Sequence, residues 1–335
     1  MKTRVLLLVL AALLVAWGLF GLLDLRNIPW GGFDHFHSVV VEVNEGGPAD
    51  RAGLRVGDRL LSLGGISLGD RDWPRRPQPE IGDTRLLVVE RTDESSGVTT
   101  TENIEVTYSQ EPTTASALSS VNWVIGLAFL LCGMLVYLKA PGTPSLLFSI
   151  AGLCFGGFLL PRPLIGSFDL RVLAGSIFFV ALCIGCACFL HLLLIFPKRK
   201  RVMEKKKAGQ LIYLPLAALA LVGIIHSVWG PLGGAVRTIG AVLVAIVLLG
   251  YLVLSMVALI HSYVKAAPHE RAEEGLNTLL AGVLLGLLPI TSMAVSGIFF
   301  SIGPLPGSRF YFLPLVLIPI SFAWALLKGA RGSRL

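Results

Sequence analysis

Eight long apolar runs alternate with shorter polar connections along most of the chain. They cover approximately residues 5–23, 119–138, 145–161, 172–196, 210–229, 238–261, 276–300 and 309–327. An α-helix rises about 1.5 Å per residue, so roughly 17 to 25 apolar residues cross the hydrocarbon layer of a bilayer. The pattern predicts a multi-pass α-helical membrane protein with about eight transmembrane helices. One is an N-terminal anchor within 1–24, and seven form a block over 119–328.

A different pattern occupies the segment between the first two runs. Short β-branched or alternating stretches stand at 39–43 (VVVEV), 59–63 (RLLSL), 85–90 (RLLVVE) and 102–108 (ENIEVTY), separated by Gly, Pro, Asp and Ser. Such stretches are typical of strands joined by turns. We predict a β-rich domain over 30–108, followed by a polar linker over 109–118.

The composition agrees with a membrane protein. Hydrophobic residues make up 54% of the chain and charged residues 15%, and the mean hydropathy is +0.75, whereas soluble domains have about 25% charged residues. Lys2 and Arg4 precede the first run as in a signal sequence, but no small-x-small cleavage site follows it. We therefore expect an uncleaved anchor; cleavage would leave seven crossings.

The basic residues predict how the chain is oriented. The formal net charge is +7, and one connection carries a cluster of seven cations: Lys198, Arg199, Lys200, Arg201, Lys205, Lys206 and Lys207. Basic connections stay on the cytoplasmic side during insertion. Both termini, including the tail 329–335, are then cytoplasmic, the β-rich domain is extracytoplasmic, and the protein lies in the cell (inner) membrane. The cluster is a topology signal and a candidate contact for anionic lipid or a cytoplasmic partner.

The β-rich segment contains a motif whose turn residues have defined roles. In VNEGGPADRAGLRVGDRLLSLGG (43–65), Pro48 suits the first position of a short helix. Gly53 suits the left-handed residue that ends it, and Leu54 the apolar contact after that cap. Gly57 and Asp58 then turn the chain into the next strand.

This motif resembles the core of a PDZ domain. The matching residues are Pro48, Ala49, Ala52, Gly53, Leu54, Gly57 and Asp58. Gly47 stands where the family usually has Ser, and Gly64-Gly65 replaces Asn-Gly. PDZ domains bind an extended peptide, often a free C-terminus, as an added strand.

The resemblance also implies where a peptide would bind. The carboxylate loop would lie near Gly31, Gly32 and Phe33, before the strand that holds Val39 and Val41. The helix that should wall the groove is replaced by 69–83, where Pro74, Pro77 and Pro79 oppose regular helix. An open peptide groove and a PDZ-like spacer that binds nothing both remain possible interpretations.

The catalytic motifs of the obvious enzyme classes do not occur in this sequence. It has no HExxH zinc-protease helix and no nucleotide-binding loop, and Ser296 of AVSG is followed by no histidine for a rhomboid-type pair. In the span over 172–196, helical geometry puts Cys183, Cys186 and His191 on one face and turns Cys188 away. One helix does not surround a tetrahedral ion, so we predict a non-enzymatic protein without metal or cofactor.

A second resemblance concerns the helical block. FLHLLLIFPKRK, with His191, Leu194, Phe196 and Pro197, and a last span with Pro319, Ala323 and Ala325, are similar to the sensory half of bacterial quorum-sensing histidine kinases. The chain ends at Leu335, where such a kinase would begin, so the resemblance implies a separate kinase or another membrane protein as cytoplasmic partner.

Three functions follow from these patterns. The leading hypothesis is a membrane receptor whose domain binds an extracytoplasmic peptide or protein C-terminus and relays binding through the helices. The alternative is an envelope scaffold or tether that does not signal. A transporter is disfavoured because the runs lack buried carboxylates. Glycines four apart, Gly152 with Gly156 and Gly282 with Gly286, predict close helix packing in a bundle or in a homodimer.

Overall fold

The chain folds into two compact units. A computed structural model describes residues 2–36, 38–68, 76–92, 97–205, 207–229, 234–300 and 308–332. The helical unit comprises Met1–Leu22, Ala117–Pro163 and Asp169–Leu335, and the β-rich unit comprises Leu23–Ser116 with Leu164–Phe168.

Each predicted apolar run lies on helix in the described residues. The long helices are α1 (Lys2–Asp24), α3 (Thr113–Lys139), α4 (Thr143–Leu159), α5 (Phe168–Ile195), α6 (Ala208–Trp229), α7 (Gly234–Lys265), α9 (Leu276–Phe300) and α10 (Leu317–Gly332). A short helix α8 (Pro268–Glu273) precedes α9, and 3₁₀ turns cover Leu25–Asn27, Arg201–Glu204 and Ser308–Val316.

Six helical segments in the described residues are long and apolar enough to cross a membrane. They are Lys2–Asn27, Ser120–Lys139, Phe168–Ile195, Ala208–Ile225, Val242–Lys265 and Phe312–Ala330. The apolar segments Thr143–Leu159 and Leu276–Pro289 are shorter. A multi-pass membrane protein is therefore supported, and the count of eight crossings stays a prediction.

Glycines allow close approach of neighbouring helices in the helical unit. A Cβ at Gly152 would lie 2.6 Å from the carbonyl oxygen of Phe129 on α3, and one at Gly282 would lie 2.4 Å from Cβ of Ser321 on α10. The predicted packing role of the two glycine pairs is confirmed for contacts within one chain. A large apolar cluster surrounds these contacts, including the stacked rings of Phe148 and Phe322, whose centroids are 5.6 Å apart. The predicted homodimer stays a prediction.

The β-rich unit is built on an antiparallel sheet. Its strands are β2 (Phe33–Phe36), β3 (Val39–Val43), β4 (Arg59–Leu63), β5 (Ile66–Ser67), β6 (Thr84–Thr92) and β7 (Thr99–Thr107), with α2 (Pro48–Arg51) between β3 and β4. The strand order is β2-β3-β4-β6-β7, and β5 pairs with β4. A separate ribbon pairs β1 (Pro29–Trp30) with β8 (Ser109–Gln110). All four predicted strands are present, although β6 and β7 are longer than the patterns indicated.

The core of this unit comes from inward-facing apolar positions. Eight side chains form it: Val40, Ala49, Leu54, Leu60, Leu87, Val89, Ile104 and Val106. Burying each larger side chain contributes about 1.5–3 kcal/mol. The predicted turn chemistry is confirmed: Pro48 begins α2, Gly53 has φ +88°, and Leu54 is 2% exposed.

A buried ion pair joins strands that are distant in sequence. Both oxygens of the Asp58 carboxylate accept hydrogen bonds from Arg91 on β6, at 2.7 and 2.6 Å. Arg91 also donates to Glu102 on β7, at 2.6 Å, and to the carbonyl oxygen of Gly53, at 2.9 Å. Asp58 is 2% exposed, so this arginine ties β4, β6, β7 and the end of the helical turn together through charge-assisted bonds.

Candidate functional site

Strand β2 forms one edge of the sheet in the described part of the chain. It pairs with β3 alone, with Phe33 opposite Val43 and Asp34 opposite Glu42. The N–H of Asn44 donates to the carbonyl oxygen of Gly32 at 2.9 Å. Successive residues of an antiparallel strand direct their backbone groups to alternate sides. The N–H and C=O of Phe33 therefore point away from β3, toward the side where another strand can be added.

The loop before β2 is fixed against the start of α2. Gly31 and Gly32 are buried, and the carbonyl oxygen of Gly31 accepts a hydrogen bond of 3.0 Å from the N–H of Ala49. Gly32 has φ +75°, and a Cβ there would lie 2.9 Å from Cδ of Pro48. Glycine is required at this position because a side chain would be strained and would meet the helix. The motif residues Pro48 and Ala49 thus hold the loop that leads into the edge strand.

The other predicted peptide-binding residues lie around this edge. Phe33 is half-buried and packs against the core of the β-rich unit. Val39 and Val41 lie on β3 and are 41% and 52% exposed. β3 is paired with β2 on one side and β4 on the other, so these valines would reach a peptide only through their side chains. Their contact with a peptide stays a prediction.

Strand β2 itself was missed by the sequence analysis. The segment WGGFDHF was interpreted as the carboxylate loop that the PDZ resemblance implies, and its two glycines with Asp34 and His35 leave no alternation of apolar positions. The signal that was available is the pair of aromatic residues Phe33 and Phe36, because only two residues separate Phe36 from VVVEV, a loop length suited to a tight hairpin.

No helix covers 76–83, the described part of the proline-rich segment. Pro77 and Pro79 lie in irregular backbone, and Pro74 lies outside the described residues. The carboxylate of Asp83 accepts hydrogen bonds from the N–H of Glu80 at 3.1 Å and from Arg85 at 2.9 Å. These bonds hold the pKa of this exposed carboxyl below its usual range. The expectation that the prolines oppose helix is confirmed for 76–83.

The sequence itself shows one family match within this unit. Residues 39–72 match the family model of the PDZ domain. The match runs from β3 through the helical turn and β4, so it contains the whole motif from Pro48 to Asp58. No curated protein and no solved structure matches the chain. The PDZ match indicates a protein-interaction module, while the resemblance to sensor kinases has no support among these comparisons.

The basic cluster lies outside the PDZ-like domain, in the helical unit between α5 and α6. Nζ of Lys198 lies 2.5 Å from a carboxylate oxygen of Glu270 on α8. Nζ of Lys200 donates to the hydroxyl of Ser262 on α7 at 2.5 Å. Arg199 donates to the carbonyl oxygen of Met203. The connection is therefore folded against the ends of α7 and α8.

The other described cations of the cluster are spread along the connection and do not form a single site. Arg201 begins a 3₁₀ turn, Lys205 and Lys207 are exposed, and Lys206 lies outside the described residues. Contact of the cluster with a cytoplasmic partner stays a prediction.

The cysteine-rich part of α5 makes a polar contact with α6. Nδ1 of His191 is 3.0 Å from the hydroxyl of Tyr213, and Sγ of Cys188 is 3.7 Å from the same hydroxyl. Cys188 therefore shares a face with His191, and the prediction that it turns away was wrong. The two residues are three apart, which separates them by only about 60° around a helix. Within the described ranges, no group of three or more His, Cys, Asp or Glu side chains is placed to hold a metal ion.

Proposed function

We propose that this protein is a membrane-anchored interaction protein whose PDZ-like domain binds an extended segment of another protein by adding it to β2. The observation that carries the proposal is the edge position of β2, with the backbone of Phe33 directed away from β3. Backbone hydrogen bonds supply affinity in strand addition, and pockets for alternate side chains supply specificity. The PDZ match over 39–72 supports the same mode of binding.

The opposite edge of the sheet is less suited to this role. Charged side chains on an edge discourage pairing with another chain, and β7 carries two acidic residues, Glu102 and Glu105, whereas β2 carries one, Asp34. β7 is also held in a nine-residue ladder with β6 and by the Arg91–Glu102 ion pair. Strand addition at β2 is therefore the specific form of the proposal.

In this proposal the domain is extracytoplasmic, both termini are cytoplasmic and the helical unit crosses the cell membrane eight times. The distribution of Lys and Arg supports that orientation. The protein is a non-catalytic receptor, and its helices relay occupancy of β2 to a cytoplasmic partner. Such a relay requires two helix arrangements that the ligand favours unequally.

Photo-crosslinking at the two sheet edges tests the binding mode. The full chain carries p-benzoylphenylalanine in place of Asp34 on β2 or, as the matched control, Glu105 on β7; both native side chains are exposed and acidic. Each variant, in lipid nanodiscs, is incubated with a random ten-residue peptide library with free or amidated C-termini. We expect saturable crosslinks at position 34 that exceed those at 105.

Backbone chemistry of the peptide provides the second arm of the experiment. Peptides selected at position 34 are resynthesised with alternate backbone nitrogens methylated, which removes the donors needed for a β-ladder. Loss of binding is expected. Retained binding after methylation, or equal crosslinking at both edges, would contradict strand addition, and absence of saturable binding would favour the spacer interpretation.

A further inference from the structure

A large cavity lies in the helical unit where the basic cluster meets the ends of the helices. Its volume is about 940 Å³, near the upper end of the roughly 300–1,000 Å³ usual for ligand sites. Its walls come from the last turns of α5, the connection 197–202, the C-terminal part of α7, the helix α8 with Glu274 after it, and the start of α9. We call this space the basic cavity.

One part of the basic cavity is apolar. Leu190 and Leu194 line it from α5, and Leu254 and Val257 line it from α7. Leu254 is 53% and Val257 56% exposed, although both belong to a helix apolar enough to span a membrane. This part of the wall is chemically matched to a hydrocarbon chain.

The other part is charged and predominantly basic. Five cationic side chains and two carboxylates line it among the described residues: Lys198, Arg199, Lys200, Arg201, Lys265, Glu270 and Glu274. Because α5 ends at Ile195 and α7 at Lys265, the charged part lies at the end of the apolar spans. The cavity therefore has a charged end and an apolar end, which matches the charged head group and hydrocarbon chain of an amphiphilic ligand.

Lys200 is the half-buried cation of this wall, and its nearest described hydrogen-bond partner is a neutral hydroxyl. It is half-buried and donates to the neutral hydroxyl of Ser262, and its Nζ lies 3.5 Å from Nδ1 of His261. Within the described part of the chain, no carboxylate lies within ion-pair distance of it, whereas Lys198 is paired with Glu270. Burial lowers the pKa of Lys200, as expected for a cation that loses water without gaining a counterion.

We propose that the basic cavity binds an anionic phospholipid, with its phosphate at Lys200 and an acyl chain along Leu190, Leu194 and Leu254. Basic pockets between transmembrane helices are established sites for anionic head groups. The apolar wall separates this ligand from free phosphate, which would leave most of the volume empty. The site belongs to the helical unit and does not depend on peptide binding at β2.

Native mass spectrometry of the full chain in a neutral detergent tests the proposal. The probes are phosphatidylglycerol and phosphatidylcholine of the same acyl composition, titrated separately. We expect saturable binding of one phosphatidylglycerol, at least tenfold tighter than phosphatidylcholine. Lys200→Gln should weaken phosphatidylglycerol about tenfold, because hydrogen bonds to charged groups contribute strongly to affinity.

The control removes a cation of the same cluster that does not line the cavity. Lys207 is exposed and absent from the cavity wall, so Lys207→Gln should change affinity less than threefold. Equal losses from Lys200→Gln and Lys207→Gln would overturn the site and leave general surface attraction. Glu274→Gln removes a negative charge from the wall and should strengthen binding several-fold.

A variant that fills the apolar part of the cavity distinguishes binding of a lipid from binding of free phosphate. Val257→Trp adds bulk to the apolar wall at an exposed position and leaves every charge in place. It should weaken phosphatidylglycerol at least tenfold while the variant remains monodisperse with unchanged helical circular dichroism. The lipid proposal fails if Val257→Trp has no effect, or if millimolar inorganic phosphate, or an acidic peptide, displaces the lipid from the wild-type chain.

Discussion

Replacing Asp58 by Asn is expected to destabilise the PDZ-like domain by about 3 kcal/mol. The carboxylate is 2% exposed and accepts two hydrogen bonds from Arg91, at 2.7 and 2.6 Å. Removing one partner of a buried ion pair costs about 3–5 kcal/mol, since the other charge is left without compensation. Arg91 keeps its bond to Glu102 and its side chain is 16% exposed, so the expected cost lies at the low end of that range.

Hydrogen–deuterium exchange of the full chain in lipid nanodiscs measures this loss locally. Amides of β6 and β7 should exchange about 100-fold faster in the Asp58→Asn variant, because each 1.4 kcal/mol is a factor of ten in the open population. The matched control is Glu90→Gln, which removes a carboxylate beside Arg91 on the same strand. Among the described residues Glu90 forms one ion pair, an exposed one of 3.3 Å with Arg59, worth at most about 1 kcal/mol.

Two results would refute this reasoning. Equal acceleration in Asp58→Asn and Glu90→Gln would mean that the buried pair contributes no more than a surface pair. Additive losses in Asp58→Asn and Arg91→Gln would mean that the residues act independently, whereas partners in one interaction should lose less together than the sum of the single changes.

Three further predictions concern backbone conformation, helix packing and orientation. Gly53→Ala should destabilise the PDZ-like domain by about 1–2 kcal/mol in the same exchange measurement, because φ is +88° and open space surrounds the added Cβ, so only backbone strain changes. Gly282→Ala should lower the free energy of unfolding in detergent by about 1–3 kcal/mol through overpacking, seen as a lower melting temperature. Gly250→Ala, with no atom within 4 Å of the new Cβ, should leave it unchanged. For orientation, single cysteines are introduced into a variant without the five native cysteines and probed in intact cells with a membrane-impermeant maleimide. Thr100→Cys should be labelled directly, and Lys265→Cys only after permeabilisation. The reverse pattern would contradict the orientation.

Local patterns predicted the elements whose residues are close in sequence. The glycine and proline positions of the motif specified the helical turn, because Pro48 has a preset φ and Gly53 tolerates a positive one. Strands β3 and β4 followed from alternation. The apolar runs predicted helices because every span must satisfy its own backbone in a membrane.

The parts that sequence patterns missed depend on contacts between distant segments. Asp58 and Arg91 are 33 positions apart, and nothing local marks them as partners. β2 is too short and too polar for its pattern to indicate a strand, and it is stabilised by pairing with β3. The basic cavity exists because the ends of α5 and α7 come together, so the sequence predicted its cations but not the apolar wall beside them.

The β1–β8 ribbon has a mechanical consequence for the PDZ-like domain. Pro29 pairs with Gln110 and Trp30 with Ser109, so the chain enters and leaves the domain at adjacent points. Tension applied through the flanking helices loads this two-residue clasp before it reaches the sheet. While this clasp holds, tension along the flanking chain passes across it and bypasses the sheet; once it opens, the load reaches the edge strand β2, which follows β1 directly.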